Sequence, residues 1–344
     1  MDDELLSVWE SLWDERGTPL PLFRWDQDLT YRISGVGMSR HRETIVRALE
    51  AVAEASKIRM TDLASMPDEG KTAMLEIEVV EERDLPENQA CSTRLSSRSG
   101  GVLAKVEVKL KSRQVWSCVM HEAMHAMGIA GHPSGNTVLS YFTHRRDQLT
   151  ELDKLMLGVW YSKKLAPGNS PFEVLAEMTD AVAVQRGADI GMEAAQQRAH
   201  AFMRAALLDM EKFAEGSGEV PVIIKRSGRA SSNHMDEARL QIGWFLARAY
   251  QNGTIAEKSR SNASRWFKAG AEKGHLSSQV AWGLALARGT GVERDQAAAC
   301  TWYARAAPAL THIEAKELRT LELTLCPPAI EAPEPAPQAS GALP

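Results

Sequence analysis

The stretch HEAMHAMGIAGHP, which begins at His121, restricts most strongly what this chain can fold into. His121 and His125 are four residues apart, so an α-helix places both imidazoles on one face and directs them at one point. Glu122 lies beside the first of them. Gly128 can end the helix in a left-handed conformation, and His132 then returns to the same point. The spacing predicts a helix, a tight turn and three convergent imidazoles.

These residue types in this order indicate a hydrolytic zinc site. His121, His125 and His132 are expected to hold Zn²⁺ and to leave its fourth position open for water, whose pKa the metal lowers to about 7. Glu122 is the expected general base that takes the proton of that water. The alternative is a pair of buried histidines with satisfied hydrogen bonds, because a bare H-E-x-x-H occurs by chance in many helices. The continuation to a glycine and a third histidine favours the metal.

The stretch resembles the signature of the metzincin clan of zinc metallopeptidases, H-E-x-x-H-x-x-G-x-x-H followed by a Met-turn, and the resemblance extends over residues 22–165. His132 falls one residue late, because Gly131 occupies the third-ligand position. The segment TVLSY matches the Met-turn, with Leu139 where the family has methionine. The resemblance implies that Tyr141 approaches the metal and stabilises the oxyanion of the reaction. An ordinary packing tyrosine is the alternative.

Two further resemblances leave alternatives open. The same segment looks like a bacterial domain family of unknown function, many of whose members have a degraded metal motif, whereas this chain keeps the complete H-E-x-x-H. In gluzincins the third ligand is a glutamate from a later helix, and Glu173 or Glu177 can supply it. Gly128 and His132 favour the metzincin scheme.

Hydrophobic periodicity around the motif predicts a small α+β domain. Strand-like alternation of apolar and polar residues occurs over about 29–33, 73–79 and 102–110. Helical spacing occurs over about 39–56, 114–129 and 150–161. This order predicts a mixed sheet backed by helices. The strand at 102–110 is expected to bind the substrate backbone by β-addition.

The second half of the chain is predicted to be helical and to contain an internal repeat. LARAYQNG ends at Gly253 and WGLALARG ends at Gly289, which sets a period of 36 residues. Small and aromatic residues agree in both copies: Ala263 with Ala299, Trp266 with Trp302, Phe267 with Tyr303, and Ala271 with Ala307. The pattern resembles Sel-like repeats, relatives of tetratricopeptide repeats. That resemblance implies a protein or peptide partner, and bracing of the catalytic domain is the alternative.

The predicted fold class is α+β, a metzincin-like mixed sheet with an active-site helix, followed by an all-α helical-repeat domain. The predicted segments are an N-terminal helical arm (1–21), a zinc peptidase domain (22–165), a helical connector and linker (166–235), the repeats (236–326) and a tail (327–344). The tail holds 6 prolines in 18 residues, which is typical of disorder.

Composition and cysteine content restrict which classes of partner the protein is expected to bind and in which cellular compartment it is expected to lie. A net charge of −5 argues against nucleic acid as a partner, and no apolar run has the roughly 18 residues of an integral membrane segment. Acidic residues stand where a signal peptide carries Lys or Arg, which taken literally predicts the cytoplasm. Four cysteines allow the pairs 91–118 and 300–326, although four buried thiols are the alternative. Such pairing, together with the mostly exported families that the chain resembles, favours the periplasm or the extracellular space.

The sequence therefore predicts a zinc-dependent metalloendopeptidase that acts on a peptide or protein substrate and carries a protein-binding helical-repeat module. The alternative is a non-catalytic adaptor that binds a protein partner through its repeats, with the metzincin-like domain as a structural platform.

Overall fold

The structure is a computed structural model that describes residues 1–65, 72–141, 146–226, 232–254 and 257–309, together with Arg319 and Cys326. The chain divides into two compact units, Met1–Ser259 and Arg260–Pro344. The first unit is α+β and the described part of the second is helical. The division falls inside the segment predicted to hold the repeats, after its first helix.

The first unit contains a five-stranded sheet and eight α-helices among the described residues. Its strands are β1 (Leu29–Gly35), β2 (Met60–Asp62), β3 (Leu75–Val80), β4 (Cys91–Ser97) and β5 (Leu103–Lys111). Its helices are α1 (Asp2–Ser11), α2 (Met38–Ser56), α3 (Val115–Ala126), α4 (Glu151–Trp160), α5 (Pro171–Ile190), α6 (Met192–Glu215), α7 (Val222–Arg226) and α8 (Ser232–Asn252).

The sheet is mixed, with the strand order β2-β1-β3-β5-β4. All neighbours are parallel except β4, which runs antiparallel to β5. The expectation that the strand at 102–110 receives a substrate strand is wrong. That strand is β5, and both of its edges are already hydrogen-bonded, to β3 and to β4. The edge strand beside it is β4, which the sequence pattern did not predict.

The two faces of the sheet differ in polarity, as the alternation predicts. The register places Tyr31, Leu75 and Val106 side by side, and all three are buried. The alternate positions of β3 and β5 carry charged side chains that pair with each other, for example Lys105 with Glu76 at 3.0 Å. Helices α2 and α3 contact the strands and each other, so the apolar face forms the core of this unit.

Helix α1 packs against α5 through its apolar side. Trp9 stacks on Phe172 with ring centroids 5.8 Å apart, and Leu5 is buried. At the other end of the helix, Glu4 forms an ion pair with Arg186 of α5. The N-terminal arm is therefore docked on the first unit along its whole length.

The second unit contains three helices among the residues described: α9 (Arg260–Glu272), α10 (Leu276–Arg288) and α11 (Gln296–Ala306). The 36-residue period is visible in the helices, because α8 and α10 are each followed by a glycine with positive φ, 74° at Gly253 and 66° at Gly289. Helix α10 lies close to α11, since a Cβ on Gly283 would come 2.8 Å from the ring of Tyr303. The small residue thus permits the close approach that the repeat pattern predicts.

The predicted tail, 327–344, lies outside the described residues. Within the described ranges, no helix has the length and apolarity needed to cross a lipid bilayer.

Candidate metal centre

Helix α3 positions the first two predicted ligands, and a glycine turn positions the third. His121 and His125 lie one turn apart on α3, which ends at Ala126. Gly128 follows with φ +95°, and a Cβ there would lie 1.9 Å from the carbonyl oxygen of Phe23. Only glycine satisfies both the backbone conformation and the close approach, so the chain reverses here.

The three histidines meet at their Nε2 atoms, although His132 falls one residue late. The Nε2 atom of His125 lies 3.0 Å from that of His121 and 3.0 Å from that of His132. The remaining pair, His121 and His132, is 3.2 Å apart. Among the described residues they form the one group of three or more potential metal ligands.

Backbone carbonyls determine the tautomers of the first two imidazoles. Nδ1 of His121 donates to the carbonyl of Val138 at 2.9 Å, and Nδ1 of His125 donates to the carbonyl of Ile129 at 2.7 Å. Because carbonyls only accept, both Nδ1 atoms carry the proton and both Nε2 atoms carry a lone pair. Two lone pairs 3.0 Å apart cannot hydrogen-bond to each other, whereas a cation between them satisfies both.

Burial favours the neutral imidazole at His125 and at His132. It lowers the pKa of His125 to about 4, against the opposing effect of the hydrogen bond to Ile129. Burial, together with the two neighbouring imidazoles, lowers the pKa of His132 to about 2. Nδ1 of His132 has no hydrogen-bond partner, and the nearest carboxylate oxygen, on Glu15, is 3.7 Å away.

The donor set fits a zinc ion. Three neutral imidazole nitrogens are a usual zinc set, and tetrahedral bonds of about 2.0–2.1 Å place such nitrogens roughly 3.3 Å from one another. The distances of 3.0–3.2 Å observed here are close to that value. His121, His125 and His132 are the residues that would hold the ion.

A buried carboxylate supports the turn beneath the histidines. Asp153 on α4 is fully buried and accepts hydrogen bonds from the backbone N–H of Val138 at 3.2 Å and of Thr150 at 2.8 Å. Val138 is the residue whose carbonyl orients His121. Burial raises the pKa of Asp153, and the hydrogen bonds from Thr150 and Val138 act against that rise. Leu139, in the methionine position of the resemblance, is also completely buried.

Glu122 lies at the cleft beside the histidines, with its carboxylate held by a strand that the sequence pattern missed. Glu122 is only 4% exposed, and its Oε2 accepts a hydrogen bond of 2.5 Å from the hydroxyl of Thr93 on β4. The cleft has a volume of about 610 Å³ and is lined by His121, Glu122, Tyr141, Glu15 and Arg146 among others. A substrate entering this cleft therefore meets Glu122 and the imidazole of His121 together.

Tyr141 lies against the histidines but mainly through its ring. The ring stacks on that of His132, with centroids 4.1 Å apart and an interplanar angle of 17°, and more loosely on that of His121. The residue is 61% exposed at the cleft. Its role as an oxyanion donor stays a prediction.

The two glutamates of the alternative ligand scheme are not brought to the histidines. Glu173 caps its own helix by accepting from the N–H of Ser170 at 2.7 Å, and also accepts from the side chain of Asn252. Glu177 pairs with Lys164 at 2.8 Å. The group that the structure brings to His121 and His125 is the imidazole of His132.

Two disulfides are present, and they join the two pairs that the sequence allowed. Cys91 is bonded to Cys118, which ties the start of β4 to helix α3. Cys300 is bonded to Cys326 in the second unit. Disulfides persist in oxidising compartments, so both bonds point to such a location.

No protein-family model matches the chain, and no curated protein sequence matches it. A solved structure that resembles it is a Sel1 repeat protein from Oxalobacter formigenes, with 14% sequence identity and a TM-score of 0.24. The alignment covers 60% of this chain and 71% of that protein. At this similarity, the function of the protein has to be argued from its own residues.

Proposed function

We propose that the protein is a zinc-dependent metalloendopeptidase. The observation that carries the proposal is the convergence of three imidazole Nε2 atoms, 3.0–3.2 Å apart, beside a carboxylate in an open cleft. Two of these atoms carry lone pairs that face each other. A cation between them would satisfy both lone pairs, and a cation beside a carboxylate is what metal-assisted hydrolysis of a peptide bond requires.

The chain's own residues divide the chemistry between them. A bound zinc ion supplies a Lewis acid that lowers the pKa of water and polarises the scissile carbonyl. Glu122 takes the proton from the attacking water and passes it to the leaving amine. Thr93 donates to one carboxylate oxygen of Glu122 and so orients this base at the cleft. Tyr141 stands at the cleft as a donor for the oxyanion.

The proposed substrate is an extended segment of a peptide or protein. Strand β4 pairs with β5 on one side, and it is the last strand of the sheet among the described residues. This edge strand begins at the cleft, because its first residue, Cys91, lines the cleft, and its Thr93 contacts Glu122. An extended peptide can hydrogen-bond to such an edge as an added strand. The role first expected of the strand at 102–110 therefore passes to β4.

The test is the isosteric change Glu122→Gln. We expect hydrolysis of a quenched fluorescent protein substrate to fall by at least about 100-fold, because the general base is lost. Zinc content, measured by elemental analysis, should stay at one ion per chain, since Glu122 is not a ligand. His132→Ala is the matched control, in which zinc binding should weaken sharply and hydrolysis should be lost. Full hydrolysis by Glu122→Gln would exclude this mechanism.

A second candidate function rests on the helical repeat. The 36-residue period, the buried aromatic residues Phe267 and Tyr303 and the paired helices are typical of Sel-like repeats, which commonly bind proteins. We propose that this module binds a protein partner or substrate. A purified protein that holds no zinc would leave this adaptor function as the whole activity.

The proposed location is the periplasm or the extracellular space. Its support is the pair of disulfides, one in each unit.

A further inference from the structure

The loop that carries His132 is held by the N-terminal helix α1 and not only by its own chain neighbours. The N–H of Gly131 donates to the carbonyl of Ser11, the last residue of α1, at 3.2 Å. Three residues further along, the N–H and the hydroxyl of Ser134 both donate to one oxygen of Glu10, at 2.6 and 2.7 Å. The third ligand thus lies between two contacts to the same end of α1.

Gly131 is required for that contact. A Cβ at this position would lie 2.5 Å from the carbonyl oxygen of Ser11 and 2.6 Å from that of Glu10. The φ of Gly131 does not lie in the left-handed region, so the requirement comes from the close approach of two backbones. Gly131 occupies the position where the metzincin signature has its third histidine, and the same glycine allows the loop that carries His132 to contact α1.

The position of Glu10 in helix α1 is electrostatically unfavourable for a carboxylate. A carboxylate in the last turn of an α-helix lies near the negative end of the helix dipole. The residue is nevertheless only 5% exposed, and its carboxylate turns to the two donors of Ser134. A buried carboxylate in such a position is retained for the bonds that it makes across to the loop.

We propose that Glu10 is a positioning residue of the metal centre. By fixing the loop from Gly131 to Ser134, it holds His132 in place for the ion, which makes helix α1 a part of the metal site. This inference rests on the proposed zinc function. Because docking of α1 and binding of zinc favour the same loop conformation, each strengthens the other by the same factor.

The test is the zinc affinity of the full-length protein, measured by competition with a chromophoric chelator. We expect Glu10→Ala to weaken zinc binding by about 10–100-fold, the usual effect of losing a residue that supports a ligand. Glu10→Gln keeps the shape and one acceptor oxygen, so its loss should be smaller. Glu4→Gln is the matched control on the same helix, because Glu4 pairs with Arg186 of α5 and does not contact the loop. It should leave the zinc affinity within about twofold.

A double-mutant cycle separates positioning from general destabilisation. In the His132→Ala background, Glu10→Ala should weaken the remaining zinc binding little further, since its effect passes through His132. The visible spectrum of the Co²⁺-loaded protein should change in Glu10→Ala in the direction of the His132→Ala spectrum.

The outcomes distinguish the two proposals. A wild-type protein that binds zinc while both Glu10 variants bind it equally well overturns the role of Glu10 and leaves the zinc function standing. A wild-type protein that binds no zinc overturns both. If Glu10→Ala fails to fold, the affinity of the conservative Glu10→Gln decides: equality with the wild type refutes the role of Glu10.

Discussion

Thr93 is the residue whose contact bears most directly on the proposed reaction. Its hydroxyl donates to Glu122 at 2.5 Å and so fixes the orientation of that carboxylate. We expect Thr93→Val, which removes the hydroxyl at nearly constant volume, to lower kcat about 10-fold, the cost of one hydrogen bond to a charged group. KM and zinc affinity should change little.

Rescue by the conservative variant controls for damage to the strand. Thr93→Ser keeps the hydroxyl and should restore most of kcat in the same peptide assay. If Thr93→Val raises KM and leaves kcat unchanged, Thr93 shapes the substrate edge and does not orient Glu122.

For single residues, the sequence predicts contacts between residues that are close in the chain and does not predict contacts between residues that are far apart in it. His121, Glu122 and His125 share one helical turn, so their spacing alone places them together. Thr93 is 29 residues from Glu122, and Glu10 is 124 residues from Ser134, so only the folded chain brings each pair together.

Helix α3 and the first residue of β4 both line the cleft, and a disulfide joins these two elements. Cys91 at the start of β4 is bonded to Cys118 on α3, one turn before His121. The bond holds β4 next to the helix that carries His121 and Glu122. Since the loop that it closes spans 27 residues, chain-entropy arguments give a stabilisation of about 3.5 kcal/mol.

We therefore expect the double change Cys91→Ala with Cys118→Ala to lower both stability and kcat/KM. Denaturant unfolding followed by circular dichroism should show a loss of roughly 2–4 kcal/mol. The second disulfide is a matched control, because Cys300 and Cys326 are 26 residues apart and close a loop of nearly equal length. Its removal should leave peptide hydrolysis unchanged. Equal loss of kcat/KM in both double variants would show that the first bond has no special place at the site.

The sequence pattern predicted the strands that have one buried face, and it did not predict the two strands at the edges of the sheet. The segments that became β1, β3 and β5 alternate apolar and polar residues, because one side of each strand contacts the core. Strand β4, CSTRLSS, is only partly buried along its length, and β2 has three residues. Neither carries the alternation that a half-buried strand requires, so the register with β5 was needed to identify the strand that adjoins the cleft.

At the scale of the whole molecule, every residue of the proposed site belongs to the first unit. The three histidines, Glu122 and Thr93 lie within Met1–Ser259, as do α1 and the Cys91–Cys118 disulfide. The second unit holds the helices α9 to α11 and its own disulfide. The residues of the proposed site and the helices α9 to α11 are thus separate along the chain, which is the arrangement expected of an enzyme that recruits its substrate through another part of the molecule.

This separation predicts the behaviour of a chain that ends at Ser259. We expect it to bind one zinc ion and to cleave a short fluorogenic peptide with kcat/KM within a few-fold of the full-length protein, because it retains the cleft, β4 and the arm that holds His132. Cleavage of a protein substrate recruited through the repeats should fall much further. The same truncation with Glu122→Gln serves as the inactive control. A truncated chain that is folded and zinc-loaded, yet inactive on the short peptide, would show that the repeat unit takes part in catalysis and does not only recruit.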